Sequence, residues 1–545
     1  AQSFVALPCL EMGYSGRTTK SWRFTAPFRV VGRLLRGEFA SVIYSLKLRL
    51  FAHNYMIKKQ NGRAFARAVY HRLPLPQHMK WRLREWLQPL QMAVGRTEGV
   101  AAAVKEVVNV VLHHQDFNMQ RKDFARERSL AKIMRELADH ALIYGPVRYW
   151  IALPFLATGG AEMVALNLCR ALRELRPQQS VLLLVTDGKR LSKHMCVPEG
   201  VKLIVFDDYL EDDLGYTRKQ ALLREMLFAA KPFFFHNINS ELAWNLIVSE
   251  GERLKRCIRI FGSIFAFQFS PDGQNKIGYA AYFLEKSMPN LAGLITDNQR
   301  FIDDAVCEYQ LSTEDRNRMM VIYQPCRLLT ANGRDLGHKR LANRLALTPR
   351  QSGRPQILWA GRLDAEKQID FFFDVVRECP FADFRLYGQV VLEDGVSLPS
   401  LPNLSYEGPF SSPEEWLERF DFDAFLFTSR WEGMPNILIE VGALGIPVIS
   451  PTVGGVGELI DSTTGYPLPE RPTVKDYELA LRSVIDDPAE ALARAGRLLD
   501  KVLQRHSWEN FVAAVADVPG YLNEGRKEAA SSFAVKEDDS TAVMV

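Results

Sequence analysis

Two glutamates bracket a short apolar segment in the C-terminal third of the chain. The sequence EGMPNILIE runs from Glu432 to Glu440, between the strand-like runs DAFLF and IPVIS. Pro435 suits the first turn of a helix, because its missing N–H needs no partner there. Glu432 is therefore expected in the loop before this helix. Glu440 lies inside the helix, about 80° away in net rotation. We expect the two carboxylates to hold two hydroxyl-bearing parts of one ligand.

The start of this helix is a predicted anion site. The backbone amides of Met434, Asn436 and Ile437 lie near the positive end of the helix dipole. A phosphate group binds favourably at such a position, because unpaired N–H groups point at it. A capping acid and one salt-bridged helix acid would be the simpler interpretation of either glutamate alone.

A second motif places two cations between a strand and a helix. The segment WAGRLDAEKQ, residues 359–368, begins at the end of an apolar, strand-like run. Arg362 and Lys367 lie on either side of the turn that follows this run. A guanidinium fork together with a lysine point charge can clamp a diphosphate. The position at the end of a strand favours this function over that of two solvated surface charges.

A third motif, LPFLATGGAE at residues 153–162, joins another strand to another helix. Gly159 and Gly160 let the backbone approach a ligand, and the free amides at the helix start favour an anion. Glycine pairs also occur in plain strand–helix turns. The spacing is not G-x-G-x-x-G, which argues against a dinucleotide-dependent redox enzyme.

Strand-like and helical segments alternate twice along the chain. The first series begins with VRYWIALP at Val147, and the second begins with QILWAG after a polar, strand-poor stretch. This alternation predicts an α/β protein with two Rossmann-like doubly wound domains that face a cleft, with ligands at the carboxyl ends of the strands. The expected parts are a basic, mainly helical region (1–146), a first sheet domain (147–330), a linker (331–355), a second sheet domain (356–522) and a disordered tail (523–545).

Composition is that of a globular protein with two large domains and an appendage. The chain has 545 residues, of which 47% are hydrophobic and 24% charged. Its seven cysteines are scattered and odd in number, which indicates reduced thiols and neither a disulfide framework nor a zinc site. There is no run of 18 apolar residues and no signal peptide, so a cytoplasmic location is expected.

The N-terminal part of the chain is strongly basic. Residues 20–90 contain 15 Lys and Arg against two acids, while the whole chain has a net charge of +4. In WRLREWL, we expect the apolar side chains to lie roughly on one helical side, as in helices that bind an anionic membrane surface; these are Trp81, Leu83, Trp86 and Leu87. Packing on the acidic remainder of the chain is the alternative. Nucleic acid is disfavoured because no nucleic-acid motif accompanies the charge.

Four motifs in order carry a resemblance to a known family. GGAE, GRLDAEK, TSRWEGMPNILIEVGALGIPVIS and GGVGELI resemble retaining glycosyltransferases of family four, which have the GT-B fold. The similarity runs from about residue 147 to residue 518. It implies that Arg362 and Lys367 hold the diphosphate of a nucleotide-sugar donor. It also implies that Glu432 contacts the transferred sugar and that Glu440 binds the nucleotide ribose.

The resemblance extends to further site residues. Gly159 and Gly160 would approach the phosphate, and the LSYEG segment around Tyr406 would meet the base. Many members carry H-x-H where this chain reads FFFHNINS, with His236 present but Ile238 nearby. His236 is therefore a candidate for a role at the acceptor or transferred sugar. A structural hydrogen-bonding role is its alternative.

The expected function follows from this resemblance. It implies transfer of a hexose or similar sugar to a growing lipid-linked surface glycan, with retention of anomeric configuration and without a metal or other cofactor. YHRLPLPQHMKWRLREWL, residues 70–87, resembles segments appended to bacterial surface-polysaccharide transferases, such as those for lipopolysaccharide and O-antigen. A peripheral position at the inner face of the plasma membrane, beside other glycan-synthesis enzymes, is therefore expected.

Three alternatives remain open at the level of sequence. The acidic run VFDDYLEDD, residues 205–213, could be the metal site of a GT-A transferase. A GT-B epimerase or phosphorylase is a second alternative. A non-catalytic subunit that docks a membrane-associated synthase is the third. Two sheet domains and a basic diphosphate clamp argue against the first, and the complete set of site residues argues against the last.

Overall fold

The computed structural model describes residues 123–522, except 158, 189–195, 211–214, 271–272, 330–334, 347–352, 390–397 and 411. The basic region at 20–90 and the tail at 523–545 lie outside the described residues, so the expectations for them stay predictions. Within the described part of the chain, no helix is long and apolar enough to cross a membrane.

The chain divides into two units, and the smaller one is built on a single described helix. Of the described residues, this unit comprises 123–147, 178–180 and 209–210. Helix α1 spans Asp123–Tyr144, and its apolar residues recur at three and four positions, as the sequence predicts. Glu136 of α1 accepts a hydrogen bond from the Tyr209 hydroxyl at 2.6 Å, and His140 contacts the Ser180 hydroxyl at 2.7 Å.

The first sheet has seven parallel strands in the order β3-β2-β1-β4-β5-β8-β9. Its strands are fully buried in places, such as Val181–Val185, because helices cover both faces of a doubly wound sheet. The strands are β1 (Val147–Leu153), β2 (Ser180–Val185), β3 (Val201–Val205), β4 (Phe234–Ile238), β5 (Arg259–Ser263), β8 (Gly293–Thr296) and β9 (Met319–Val321).

Most connections of this sheet contain helices, and the one between β5 and β8 also contains a short hairpin. Strands β6 (Gln268–Phe269) and β7 (Lys276–Ile277) pair antiparallel. The helices are α2 (Gly160–Leu175), α3 (Tyr216–Ala230), α4 (Glu241–Leu254), α5 (Gly278–Ser287), α6 (Gln299–Tyr309) and α7 (Thr313–Asn317).

The second sheet has six parallel strands in the order β12-β11-β10-β13-β14-β15. The strands are β10 (Gln356–Ala360), β11 (Asp383–Tyr387), β12 (Leu404–Gly408), β13 (Ala424–Leu426), β14 (Val448–Pro451) and β15 (Tyr466–Leu468). The helices are α8 (Leu336–Ala346), α9 (Ile369–Glu378), α10 (Glu414–Arg419), α11 (Asn436–Ala443), α12 (Val474–Asp486), α13 (Pro488–Arg505) and α14 (Trp508–Asp517).

Both sheets have the doubly wound strand order, which reverses direction beside the first strand of each sheet. The predicted fold, with two Rossmann-like α/β domains, is confirmed. In such sheets the loops that leave the carboxyl ends of neighbouring strands diverge and open a ligand crevice. The loops after β1 and β8 in the first sheet, and after β10 and β13 in the second, carry the groups described below.

The expected linker contains a helix that belongs to the second domain. Helix α8 lies inside residues 331–355 and packs on α11 and α13. Arg340 of α8 is buried and donates hydrogen bonds to the carbonyl oxygens of Gly445, at 2.6 Å, and of Phe422. The segment looked like a linker because its buried face presents an arginine instead of a continuous apolar stripe.

The C-terminal end of the chain returns to the first domain. Helix α14 packs on α2, and Phe511, Val515 and Tyr521 join the core of the first sheet domain. The second sheet domain therefore ends near Arg505, and the expected boundary at residue 522 is corrected. The amphipathic pattern of α14 predicts a buried face, but it does not say which of two similar sheets that face covers.

Candidate active site

The loop after β10 places Arg362 among carboxylates. Its guanidinium Nη1 lies 3.2 Å from Oδ2 of Asp364, and its Nη2 pairs with Glu366. Burial raises the pKa of Glu366, although the neighbouring Lys367 and Arg362 favour its charged form. The predicted diphosphate clamp is therefore occupied by the protein's own acids.

Lys367 and Glu432 form an ion pair that joins the loops after β10 and β13. The side chains of both residues are only 16% exposed. The Thr428 hydroxyl donates to the carbonyl oxygen of Lys367 at 2.6 Å and accepts from the Trp359 indole at 2.9 Å. This buried network fixes the backbone of Lys367, and the lysine side chain can exchange its partner.

Glu440 takes part in a separate ion pair. It lies on α11 and contacts Nε of Arg327 at 2.5 Å, with a second contact of 3.5 Å to Nη2. Burial raises the pKa of Glu440 to about 7, against the effect of the Arg327 charge. Arg327 could not be singled out from the sequence, because it lies in no motif and follows β9 near the end of the expected first sheet domain.

The amide of Met434 is engaged by a residue that the sequence analysis did not single out. The carboxyl group of Asp297, at the end of β8, accepts a hydrogen bond from this N–H and another from the Asn298 side chain at 2.7 Å. A Cβ atom at Gly433 would lie 2.7 Å from Oδ1 of Asp297, so only glycine permits this approach. Burial raises the pKa of Asp297 to about 7, and the Glu432 charge adds to the shift.

The glycine pair of the first domain faces the start of α11. A Cβ atom built on Gly160 would lie 3.9 Å from Nδ2 of Asn436, and one built on Gly159 would clash with the Glu162 carboxyl group. Burial raises the pKa of Glu162 to about 7, although its own backbone N–H and the Arg362 charge favour ionisation. The GGAE motif and the Arg362 loop therefore share one electrostatic site.

Two other predicted donor-site residues lie on the second domain. Tyr406 is on the edge strand β12, is 46% exposed, and donates from its hydroxyl to the carbonyl oxygen of Gly388 at 2.8 Å. Gly388 follows β11, the direct neighbour of β10, so Tyr406 lies toward the side of the Arg362 loop. Ile437 is half-buried in the first turn of α11. Neither residue has a described contact with the Lys367–Glu432 pair.

His236 is not brought to this site. It is fully buried, and its ring nitrogens contact the Tyr521 hydroxyl at 2.7 Å and the Ser263 hydroxyl at 2.9 Å. Burial lowers the pKa of His236 to about 3, so its imidazole is neutral at physiological pH. The geometry favours the structural alternative over a role at the transferred sugar, because both ring nitrogens are already satisfied.

The acidic run at residues 205–213 is described only in part. Asp207 pairs with Lys219 at 2.8 Å, while residues 211–214 lie outside the described part of the chain. Across the described ranges, no cluster of three or more His, Cys, Asp or Glu residues is arranged to hold a metal ion.

Comparison with known proteins matches the second sheet domain to a family. Residues 354–487 match the family model of Glycosyl transferases group 1. Glycogen synthase of Mycobacterium tuberculosis is 34% identical over 107 residues, which are 19% of this chain and 25% of that protein. The Vi polysaccharide biosynthesis protein VipC/TviE of Salmonella typhi is 32% identical over 112 residues, 19% of each chain. The match thus spans about a quarter or less of these relatives.

The fold similarity covers both sheet domains. The structure of Anabaena HepE in complex with UDP-glucose aligns with a TM-score of 0.51 and 15% identity, over 69% of this chain and 99% of HepE. At a sequence identity of 15%, this similarity shows that the two chains share a fold and shows nothing about function. The sequence resemblance to glycosyltransferases is confirmed: the chain has the GT-B fold, and residues 354–487 match the model of Glycosyl transferases group 1.

Proposed function

We propose that this chain transfers a hexose or similar sugar from a nucleotide-sugar donor to a growing glycan, with retention of the anomeric configuration. The observation that carries the proposal is the Lys367–Glu432 pair beside Arg362 and the start of α11, opposite Gly160 of the first domain. Cations, helix-start amides and a glycine backbone converge there from both sheets, as diphosphate binding requires.

Donor binding exchanges partners that are already present. The donor diphosphate replaces Glu366 at Arg362 and Glu432 at Lys367, and it competes with the Asp297 carboxyl group for the Met434 amide. Once released from Lys367, Glu432 is available to accept hydrogen bonds from hydroxyls of the transferred sugar. Glu440 and Arg327 hold the ribose end in this scheme.

The proposed reaction depends on stabilising the negative charge that develops on the donor diphosphate. As the bond between the anomeric carbon and the phosphate oxygen breaks, negative charge grows on the diphosphate, and Arg362 and Lys367 stabilise it. The acceptor hydroxyl attacks the same face of the oxocarbenium-like sugar. A leaving phosphate oxygen takes the hydroxyl proton, so the products are a glycoside and a nucleoside diphosphate.

Metal independence is part of the proposal, because two cations and helix-start amides can carry the diphosphate charge in this site. Transfer assayed after exhaustive chelation tests it. We expect full activity in EDTA, and an activity lost with EDTA and restored by Mg²⁺ or Mn²⁺ would contradict this element.

The proposed acceptor is lipid-linked, and the enzyme acts at the inner face of the plasma membrane beside other glycan-synthesis enzymes. The basic, Trp-containing region at 20–90 supports this assignment, as does the name of the Salmonella relative. Sedimentation with vesicles containing anionic lipid tests it. Equal binding by a chain lacking residues 1–100 would contradict the assignment.

Thermal unfolding with a panel of nucleotide sugars tests the donor site. A ligand at 100 times its Kd stabilises the folded chain by about 2.7 kcal/mol. We expect one or a few nucleotide sugars to protect the wild type, and Arg362→Ala and Glu440→Ala to lose most of that protection. Arg482→Ala, in an exposed ion pair, is the matched control. Unchanged protection in both site variants would contradict the assignment.

A further inference from the structure

A cavity of about 550 Å³ lies beside Glu432, between the two sheet domains. The first domain contributes the β6–β7 hairpin and α6, and the second contributes residues 430–432 and 470–472. The volume falls within the range of about 300–1,000 Å³ that is typical of small-ligand sites. Since Glu432 lines the cavity and also pairs with Lys367, the cavity adjoins the proposed position of the transferred sugar.

Aromatic side chains from both domains line this cavity. Phe269 of the hairpin and Trp431 of the β13 loop have ring centroids 6.5 Å apart and planes inclined by 53°. Deeper along the first domain, the rings of Phe267 and Phe301 are 5.4 Å apart. Half-buried aromatic faces offer large apolar contact area, and the C–H faces of sugar rings are complementary to them.

The carboxylates of the cavity wall are ion-paired. Besides Glu432, they are Asp304 and Glu470, both paired with Arg300, at 2.8 and 3.1 Å, and Glu308, paired with Lys276 at 2.5 Å. These pairs use two of the cations that line the cavity. Because Asp304 and Glu470 share Arg300, four carboxylates are paired with three cations, and most of the local negative charge is neutralised within the protein.

Two arginines converge at one end of the cavity. The terminal nitrogens of Arg430 and Arg471 lie 3.6 and 3.9 Å from the position that a Cβ atom on Gly273 would occupy. Arg430 lies over the Trp431 ring at 6.0 Å, and Arg471 is exposed, with no ion pair in the described part of the chain. A pair of guanidinium groups beside an aromatic platform suits a carboxylate or phosphate carried on a ring.

We propose that this cavity binds the acceptor glycan and that Arg430 and Arg471 recognise an acidic group, carboxylate or phosphate, on that glycan. The proposal rests on the proposed function, because only a sugar held at Glu432 makes this cavity the acceptor side. The aromatic rings then hold the sugar planes, and the arginines select among chains of similar shape by charge.

Binding of matched trisaccharides tests the assignment without turnover. The probes are tri-galacturonate, its neutral methyl ester, maltotriose, and maltotriose phosphorylated at its reducing end, with affinity measured by calorimetry and by tryptophan fluorescence. We expect one acidic probe to bind at least tenfold more tightly than its neutral counterpart. Which acidic probe binds separates carboxylate from phosphate recognition.

Substitution of the arginines locates the effect. We expect the double variant Arg430→Gln, Arg471→Gln to lose at least tenfold in affinity for the acidic probe and little for the neutral one. Arg256→Gln, an exposed arginine outside the cavity, is the matched control. Equal binding of acidic and neutral probes, no binding of any probe, or no change in the double variant would overturn the proposal.

Arg362→Ala separates this proposal from the donor assignment. We expect this variant to lose protection by nucleotide sugars and to keep its affinity for the acidic trisaccharide. Trisaccharide binding that disappears with Arg362 would overturn the cavity assignment, because the probe would then occupy the diphosphate site. Absence of nucleotide-sugar protection in the wild type would instead contradict the proposed function.

Discussion

Two polar clusters lie near the carboxyl edges of the two sheets and differ in residue type, burial and charge. In the first sheet, His236, Ser263 and Tyr521 are fully buried and uncharged, and both imidazole nitrogens are satisfied. In the second, Lys367 and Glu432 form an ion pair that is partly open to solvent, with each side chain 16% exposed. A buried neutral network is costly to rearrange, whereas a partly exposed ion pair can exchange a carboxylate for a phosphate. The candidate site therefore differs from the buried His236 network in that its ion-pair partners can be exchanged for a ligand.

The sharpest test of this contrast is loss of the lysine. We expect Lys367→Ala to lower turnover about 10²–10³-fold, the usual effect of removing one group that stabilises developing negative charge. Initial rates at saturating donor measure it. Lys475→Ala removes a lysine from an exposed pair with Glu478 and should leave turnover unchanged. Equal losses in the two variants would indicate a general electrostatic effect and would break the comparison.

Loss of His236 should lower the stability of the folded chain. We expect His236→Ala to lower the free energy of unfolding by about 3 kcal/mol, because it leaves a cavity and two buried hydroxyls without partners. Denaturant unfolding measures it, with the exposed His338→Ala as control. Reduced turnover of a variant with unchanged stability would show that His236 acts in the reaction after all.

The same histidine should make the free energy of unfolding depend on pH. Its pKa is about 3 in the folded protein, so between pH 6.5 and 3 the unfolded chain binds more protons than the folded one. Its stabilising contribution is present above about pH 6.5 and falls with pH through that window. We expect His236→Gln to reduce the loss of stability between pH 7 and 5. An unchanged loss would mean that other groups cause it.

A smaller effect is expected when one hydroxyl of the buried network is removed. We expect Tyr521→Phe to lower the free energy of unfolding by about 1 kcal/mol, because one ring nitrogen of His236 then lacks its partner. The exposed Tyr282→Phe is the matched control and should change nothing. Equal stability of the two variants would show that the Tyr521 contact adds no stability.

The smallest effect concerns the carboxyl groups that border the charged cluster. Glu162 and Asp297 have pKa values raised to about 7, so both become more neutral as the pH falls from 8 to 6. Their repulsion of the diphosphate then weakens, and we expect the affinity for a nucleotide sugar to rise about two- to fivefold. The double variant Glu162→Gln, Asp297→Asn should flatten this dependence, with the exposed Asp500→Asn as control. Weaker binding at the lower pH would contradict the scheme.

Some strands and site residues can be predicted from the sequence and others cannot, and the difference has a physical reason. Parallel strands covered by helices read as unbroken apolar runs, so β1, β4, β10 and β13 could be located by eye. Strands β9 and β15, like β13, have three residues each and are too short to show a period, and β13 is recognised from the longer apolar run DAFLF around it. Arg362, Lys367, Glu432 and Glu440 could be named because each lies in a motif beside a strand end. Arg327 and Asp297 meet that site only through tertiary contacts, which no local pattern encodes.

The burial of Tyr521 and its neighbours on α14 has a consequence for biosynthesis. The first sheet domain is translated before the second, yet its core is completed by residues that follow the second domain in the chain. Domains usually fold in order of synthesis. Here the first domain must wait, with an apolar face of α2 uncovered, until the second domain and α13 have been made. A nascent chain released early would therefore leave the first domain without part of its core, which links the integrity of one sheet domain to completion of the other.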